Sequence, residues 1–297
     1  MPDMQSADKP FDRDVLLLRR NRFAKQAHAH DFLLQRVAED IAERLEIVQR
    51  DFPIALNLGA HNGAVSRVIR KLSNVGVVID AESSVELLEA CDGHRVLCDE
   101  EALAFADGAL DLVVSGLSLQ FVNDLPGTFL QVRRTLKPDG LFLAQLAGGE
   151  TLKELRQAWL MAEAEILGGA SPRIAPFADV RTLGSLAQRA GFALPVADSE
   201  TITVTYASPL ALMDELRRMG ASNFLAGRRR VPVTRRLLLR VIEIYQENFG
   251  LDDGRIRATF EILSLTAWVP HESQPKPLKP GSGQISLAEL LGRGGKA

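Results

Sequence analysis

Between Ile54 and Asp80 the chain sets two glycines and an acid at intervals that could hold a nucleotide. An apolar strand over 54–59 enters the turn Gly59-Ala60-His61-Asn62-Gly63, a helix follows over 63–72, and a second apolar strand, 75–80, ends in Asp80. Gly59 and Gly63 let the backbone approach a ligand with no Cβ in the way. Asp80 stands about 20 residues beyond Gly59, the spacing at which a carboxylate meets ribose hydroxyls in nucleotide-binding βαβ units. A Gly-bearing turn alone says little. Coupled to strand, helix, strand and acid, it points to the first half of such a unit.

What separates the glycines selects the cofactor. Dinucleotide enzymes carry G-x-G-x-x-G, whereas this turn resembles in spacing the D/E-x-G-x-G-x-G turn of class I S-adenosylmethionine (SAM) methyltransferases. In that register Asn57 stands in the place of an acid and His61 in the place of the middle glycine. Asn57, being neutral, offers an ammonium group less charge than a carboxylate would. His61 brings a Cβ to a point of close approach, where positive φ is uncommon for non-glycine residues.

Chemistry of this kind needs a sheet to carry it. Apolar residues at helical spacing over 31–50 predict a helix covering the first strand. Beyond Asp80 the pattern predicts a helix near 83–91, strands 95–98 and 110–116, and a helix over 125–136 with Asp124 as N-cap. Pro138-Asp139-Gly140 reads as a turn into strand 141–146, followed by a long helix, 151–167. The unbroken apolar runs VGVVI and LDLVVS are those of strands buried on both faces, hence of a parallel sheet. A further helix ends at Gly191, TITVTY (201–206) alternates like a strand, helices close at Gly220 and Gly250, and a last strand spans 256–269. The expectation is a doubly wound, Rossmann-like α/β fold with a seven-stranded, mostly parallel sheet. Its parts are an N-terminal extension (1–30, the first ten residues disordered), a core (31–206), a helical insertion (207–255), the last core strand (256–269) and an arm (270–297) with a short helical tip.

At 297 residues and 46% hydrophobic content the chain can bury a large core. A net charge of −3 and a pI near 6.0 argue against a dedicated nucleic-acid surface. The basic run Arg228-Arg229-Arg230, with Arg235 and Arg236 behind it, reads either as a solvated loop or as a dock for an acidic partner. Cys91 and Cys98 are the only cysteines and the start is polar, which predicts a reducing, cytoplasmic setting. No apolar run reaches the roughly 18 residues of a membrane-spanning helix. His28 and His30 beside Asp31 read as a polar helix entry, and no metal site is expected.

Longer strings extend the resemblance. FDRDVLLLRRNRFA (11–24), DEEALAFADGALDLVVSGLSLQFVNDLP (99–126), LKPDGLF (136–142), GGETLKELR (148–156), SPRIAPFADVRTLGSLAQRAGF (171–192), MGASN (219–223) and HESQ (271–274) are similar to the class I methyltransferase-fold family of mitochondrial complex I assembly factors that hydroxylate an arginine of a core complex I subunit. The front half also resembles the biotin-pathway methyltransferases that act on a malonyl thioester. The resemblance implies SAM, or its product S-adenosylhomocysteine (SAH), bound by Asn57, Gly59, Ala60, His61, Gly63, Asp80 and Ala81. It implies Asp99, Glu100 and Ala102 near the adenine, and Leu117 to Gln120 facing the reactive end. Gln120, Asn123 and Glu150 are the candidate catalytic groups, although family members often carry His where Gln120 stands and Gln takes up no proton.

Three functions are open on these grounds. The first is SAM-dependent modification of a protein side chain, by methylation or arginine hydroxylation, on a complex I subunit at the respiratory chain. The second is a non-catalytic assembly factor of the same fold. The third is methyl transfer to a small acid or thioester. Methyl transfer asks mainly for in-line positioning and needs no catalytic dyad; hydroxylation needs an oxidant the sequence does not reveal.

Overall fold

Apolar side chains fill both faces of the central strands, so the sheet must be covered twice. The computed structural model describes residues 9–275. In chain order the elements are α1 (Arg13–Phe23), a 3-10 helix (Ala24–His30), α2 (Phe32–Glu46), β1 (Phe52–Leu58), α3 (Ala64–Ile69), β2 (Val75–Glu82), α4 (Val85–Leu88), β3 (His94–Leu97) and β4 (Leu110–Gly116). A short 3-10 helix (Leu119–Phe121), α5 (Leu125–Thr135), β5 (Leu136–Ala147), α6 (Lys153–Leu167), α7 (Val180–Arg189), β6 (Ala193–Tyr206), α8 (Pro209–Arg218), α9 (Arg235–Phe249) and β7 (Ile256–Trp268) follow. The strands form one seven-stranded sheet in the order β3-β2-β1-β4-β5-β7-β6, with β7 antiparallel to both of its neighbours.

One face buries Leu56, Val113, Phe129, Phe142 and Leu183 beneath α5 and α7; the other buries Ile41, Ala55, Val65, Val78 and Val114 beneath α2 and α3. A third cluster, with Trp159, Leu212, Val241 and Tyr245, packs α6, α8 and α9 together, so the helices between β6 and β7 stand on α6. Asp124 caps α5 as predicted, accepting from Gly127 N at 2.8 Å.

The differences from expectation are local but consequential. β2 runs two residues past the apolar stretch, to Glu82, because pairing with β1 and β3 continues through Ala81 and Glu82. β5 begins at Leu136, so the Pro138–Gly140 turn falls within the strand span, where the register with β4 shifts and Asp139 has φ 64°. The segment 11–24, read only as an extension, is largely the helix α1, with Asp12 as its N-cap. Of the ten residues expected to be disordered, 1–8 lie outside the described residues, as does the helical tip of the arm, while Pro10 is held in place, its carbonyl accepting from Ala226 N at 2.9 Å.

Candidate functional site

The turn after β1 is fixed by backbone first. Gly59 N and Ala60 N both donate to Ala81 O at 2.9 Å, and Gly59 (φ 68°) and Gly63 (φ 77°) sit in the left-handed region. A Cβ on Gly59 would overlap the Ser118 side chain, so glycine is required there for close approach. His61 shares the left-handed region at φ 53°. Its imidazole is pushed down to about 3 by burial, with help from the nearby Arg20 charge, and is neutral at physiological pH.

Asp80 does not face the ligand side. Its carboxylate accepts from Asn57 Nδ2 at 3.0 Å, from Ser66 Oγ, and from Arg70 Nη2 at 2.6 Å, and it is fully buried. Asn57 turns the same way, donating to Ser66 Oγ at 2.8 Å. The two expected cofactor contacts form a polar bolt that pins α3 to β1 and β2. The acid at the carboxyl end of β2 is Glu82, which the sequence reading passed over. Glu82 accepts from His61 N at 2.8 Å, Ser83 N at 2.9 Å and Ser84 N at 3.1 Å, with Arg20 Nη1 at 3.8 Å. The signal lay in DAE: an acid two residues beyond another lies on the same side of a strand, and the longer strand puts the second one at the end.

After β3, Asp99, Glu100 and Glu101 converge on Arg13 of α1, with Glu101 at 2.7 Å. Glu100 is buried and accepts from Ser118 Oγ at 2.7 Å, which brings it beside Gly59; Asp99 is half exposed at the rim, and Ala102 is at the surface. Three carboxylates and a left-handed glycine turn at the carboxyl edge of a parallel sheet suit the hydroxyls and amine of a nucleoside. Arg13 and Ser118 span this crevice, so a nucleoside would share those acids with Arg13 or displace it.

Beside the crevice a cavity of about 330 Å³ opens. His61, Leu117 and Gln120 line it from the sheet edge, Arg20 from α1, and Trp159 and Arg173 from the opposite wall. Leu117, at φ 51°, is held by its N–H on Gln145 O at 2.7 Å. Arg173 stacks on Trp159 at 4.3 Å and pairs through Nε with the buried Glu163 at 2.9 Å. The 171–177 and 219–225 strings, far apart in sequence, form neighbouring walls joined by Asn223 Nδ2 donating to Pro172 O at 2.8 Å.

Of the catalytic candidates only Gln120 reaches this cavity, its Nε2 donating to Leu117 O at 2.8 Å. Asn123 clamps the backbone of Phe11 through both amide atoms, at 2.9 and 3.2 Å. Glu150 is exposed and paired with Lys153 at 3.1 Å. HESQ sits at the opposite, amino edge of the sheet, where Gln274 Nε2 donates to Asp139 Oδ1 at 2.9 Å. Arg228 belongs to the fold, bonding Asp12 at 2.8 Å. Among the described residues, no group of three His, Cys, Asp or Glu side chains could hold a metal ion.

Comparison with known proteins places this geometry. Residues 56–144 match the model of a methyltransferase domain. The human protein named arginine-hydroxylase NDUFAF5, mitochondrial, is 38% identical over 94% of this chain and 83% of its own length, and the Dictyostelium discoideum protein of the same name is 34% identical over 95% and 70%. The chain belongs to the NDUFAF5 family. A malonyl-[acyl-carrier protein] O-methyltransferase of Halorhodospira halophila is also similar, at 35% identity over 84% of this chain and 86% of that protein. Among solved structures, the YcgJ protein of Bacillus subtilis (TM-score 0.55, 13% identity, 80% of this chain and 99% of that one) shares the fold. So does a Haemonchus contortus phosphoethanolamine N-methyltransferase solved with SAM (TM-score 0.53, 15% identity, 84% and 57%). The cytoplasmic expectation is corrected here: family members at 38% identity are named as mitochondrial proteins, which points to the mitochondrion. Among the described residues no helix is long and apolar enough to cross a membrane.

Proposed function

We propose that the chain binds SAM between the glycine turn and the acids closing β2 and β3, and uses it in modifying an arginine side chain of a protein seated in the adjoining cavity. Contiguity carries this reading: His61 and Leu117 belong to the turns that border the crevice and also line the cavity. Glu82 would accept from the ribose hydroxyls, Asp99 and Glu100 would serve the adenine amine, and Arg20 would meet the cofactor's carboxylate. Bound SAM supplies an electrophilic methyl group. The chain's own part is to orient: the fixed Leu117 turn and the Trp159 wall hold an acceptor against the crevice, and the apolar lining excludes water.

The family resemblance supports a respiratory complex I subunit as the acceptor. The test is calorimetry of the full chain with SAM, followed by mass spectrometry of captured partner proteins for a methyl or an oxygen increment on arginine. No heat at millimolar SAM would remove the cofactor from this reading and leave the non-catalytic assembly role. A second reading rests on Arg20 and Arg173, two cationic groups in the cavity wall that could meet the carboxylate of a malonyl thioester; methyl-ester formation on that substrate would establish it.

A further inference from the structure

Two buried polar atoms on side chains that line the cavity have no hydrogen-bond partner among the described residues. Among the described residues none bonds His61 Nδ1 or Gln120 Oε1, although both atoms are sealed from water. Both side chains line the same cavity. Their neighbours are already committed: Asn62 Nδ2 donates to Asp31 at 2.6 Å, and Gln120 Nε2 to Leu117 O. Burying an acceptor without a donor is costly, and native proteins seldom leave one so without a reason. Here two belong to side chains that line one cavity, one of them on a residue whose left-handed backbone is itself strained.

We infer that His61 and Gln120 form a neutral acceptor pair for a cationic N–H group, an ammonium or a guanidinium. The imidazole is suited to this because burial keeps it unprotonated, so it accepts rather than repels a cation. Its torsion about χ2 is soft, so the ring can turn its open nitrogen toward a group entering the cavity. Asp31, also in the cavity wall, adds negative charge nearby. Asn57, which might have served an ammonium group from the strand end, is turned away into the Asp80 bolt. The inference rests on the proposed function for the two places such a group can come from: the amino-acid end of the cofactor, or the arginine of the protein acceptor.

The test uses the full chain, His61→Phe and Gln120→Leu, with calorimetry and ligand-free melting. SAH carries the ammonium group and 5′-methylthioadenosine lacks it. If the pair holds the cofactor, each variant weakens SAH about tenfold and leaves 5′-methylthioadenosine unchanged. If it holds the acceptor, SAH binding stays and binding of N-acetylarginine amide to the SAH-loaded chain falls about tenfold. Either result supports the pair, provided the variants melt no lower than the wild type. Variants that bind both ligands within twofold of the wild type overturn it. A variant that melts lower is replaced by His61→Gln or Gln120→Glu, which keep an acceptor and must restore the lost binding. A wild type that binds neither SAH nor 5′-methylthioadenosine brings down the cofactor reading itself, before any variant is made.

Discussion

The nucleotide half and the acceptor half of the site are built by different means. The crevice is assembled from turns following consecutive strands, so its glycines and acids follow one another at intervals of about twenty residues or less, the spacing such folds impose. The cavity draws one wall from α1, another from α6 and the 171–177 string, and a third from 219–225, joined by contacts such as Asn223 to Pro172. Backbone geometry makes the first half, and long-range packing makes the second. A substitution in the first should strike cofactor binding or the sheet directly, while one in the second should change what is accepted and spare the cofactor.

The strongest way to break this comparison lies within the crevice, between two acids two residues apart. Asp80→Ala strips a fully buried carboxylate from Asn57, Ser66 and Arg70 and should destabilise the chain by about 3 kcal/mol, read by urea denaturation. A stable Asp80→Ala protein that loses only SAM would restore Asp80 to the ligand side. Glu82→Gln, which keeps one of the two oxygens that accept from His61, Ser83 and Ser84 N–H, should lower stability less than Asp80→Ala and weaken SAM by about 1.5 to 3 kcal/mol; unchanged SAM affinity in titration calorimetry would remove Glu82 from the ribose site.

His61 borders both halves, and its titration measures how deeply it is buried. Above pH 6.5 the imidazole is neutral in the folded and unfolded chain alike. As pH falls from 6.5 toward about 3, the unfolded chain takes up a proton that the buried ring, beside Arg20, refuses. This group should therefore cost about 1.4 kcal/mol of stability per pH unit across that window. Comparing chemical denaturation of the wild type and His61→Phe from pH 7 to pH 5 isolates the slope; parallel curves would show that the ring is hydrated. The smallest expected effect belongs to the acceptor half: Asn223→Ala should leave SAM affinity within about threefold, under roughly 0.7 kcal/mol, while product formation on the protein acceptor falls. Lost SAM binding in that variant would join the two halves into one.

What the sequence made legible follows the same division. Unbroken apolar runs specified the parallel strands, and Asp124 announced its helix, because both are local signals. The helices of 207–255 between the last two strands were legible from periodicity closed by glycines. The end of β2 was not, since pairing with β3, and not hydropathy, carries the strand to Glu82. Nor was α1, whose sequence is rich in arginine and has no clear apolar stripe: Arg13 finds its partners at 99–101 and Arg19 donates to the carbonyls of Ser222 and Asn223. Glu150 and Asn123 looked chemical by type, but a surface lysine and the Phe11 backbone account for them.

The strand order has a consequence for how the chain is made. β7 lies between β5 and β6, and among the described residues β6 has no other strand beside it. On a ribosome, 193–206 emerges well before 256–268, so β6 must wait, unpaired, while the helices of the insertion are synthesised. The sheet is closed by an insertion into its middle, not an addition at its edge. A chain stopped short of Ile256 would leave one side of β5 and all of β6 open to pairing with other molecules, and those nascent forms are where a chaperone would be needed most.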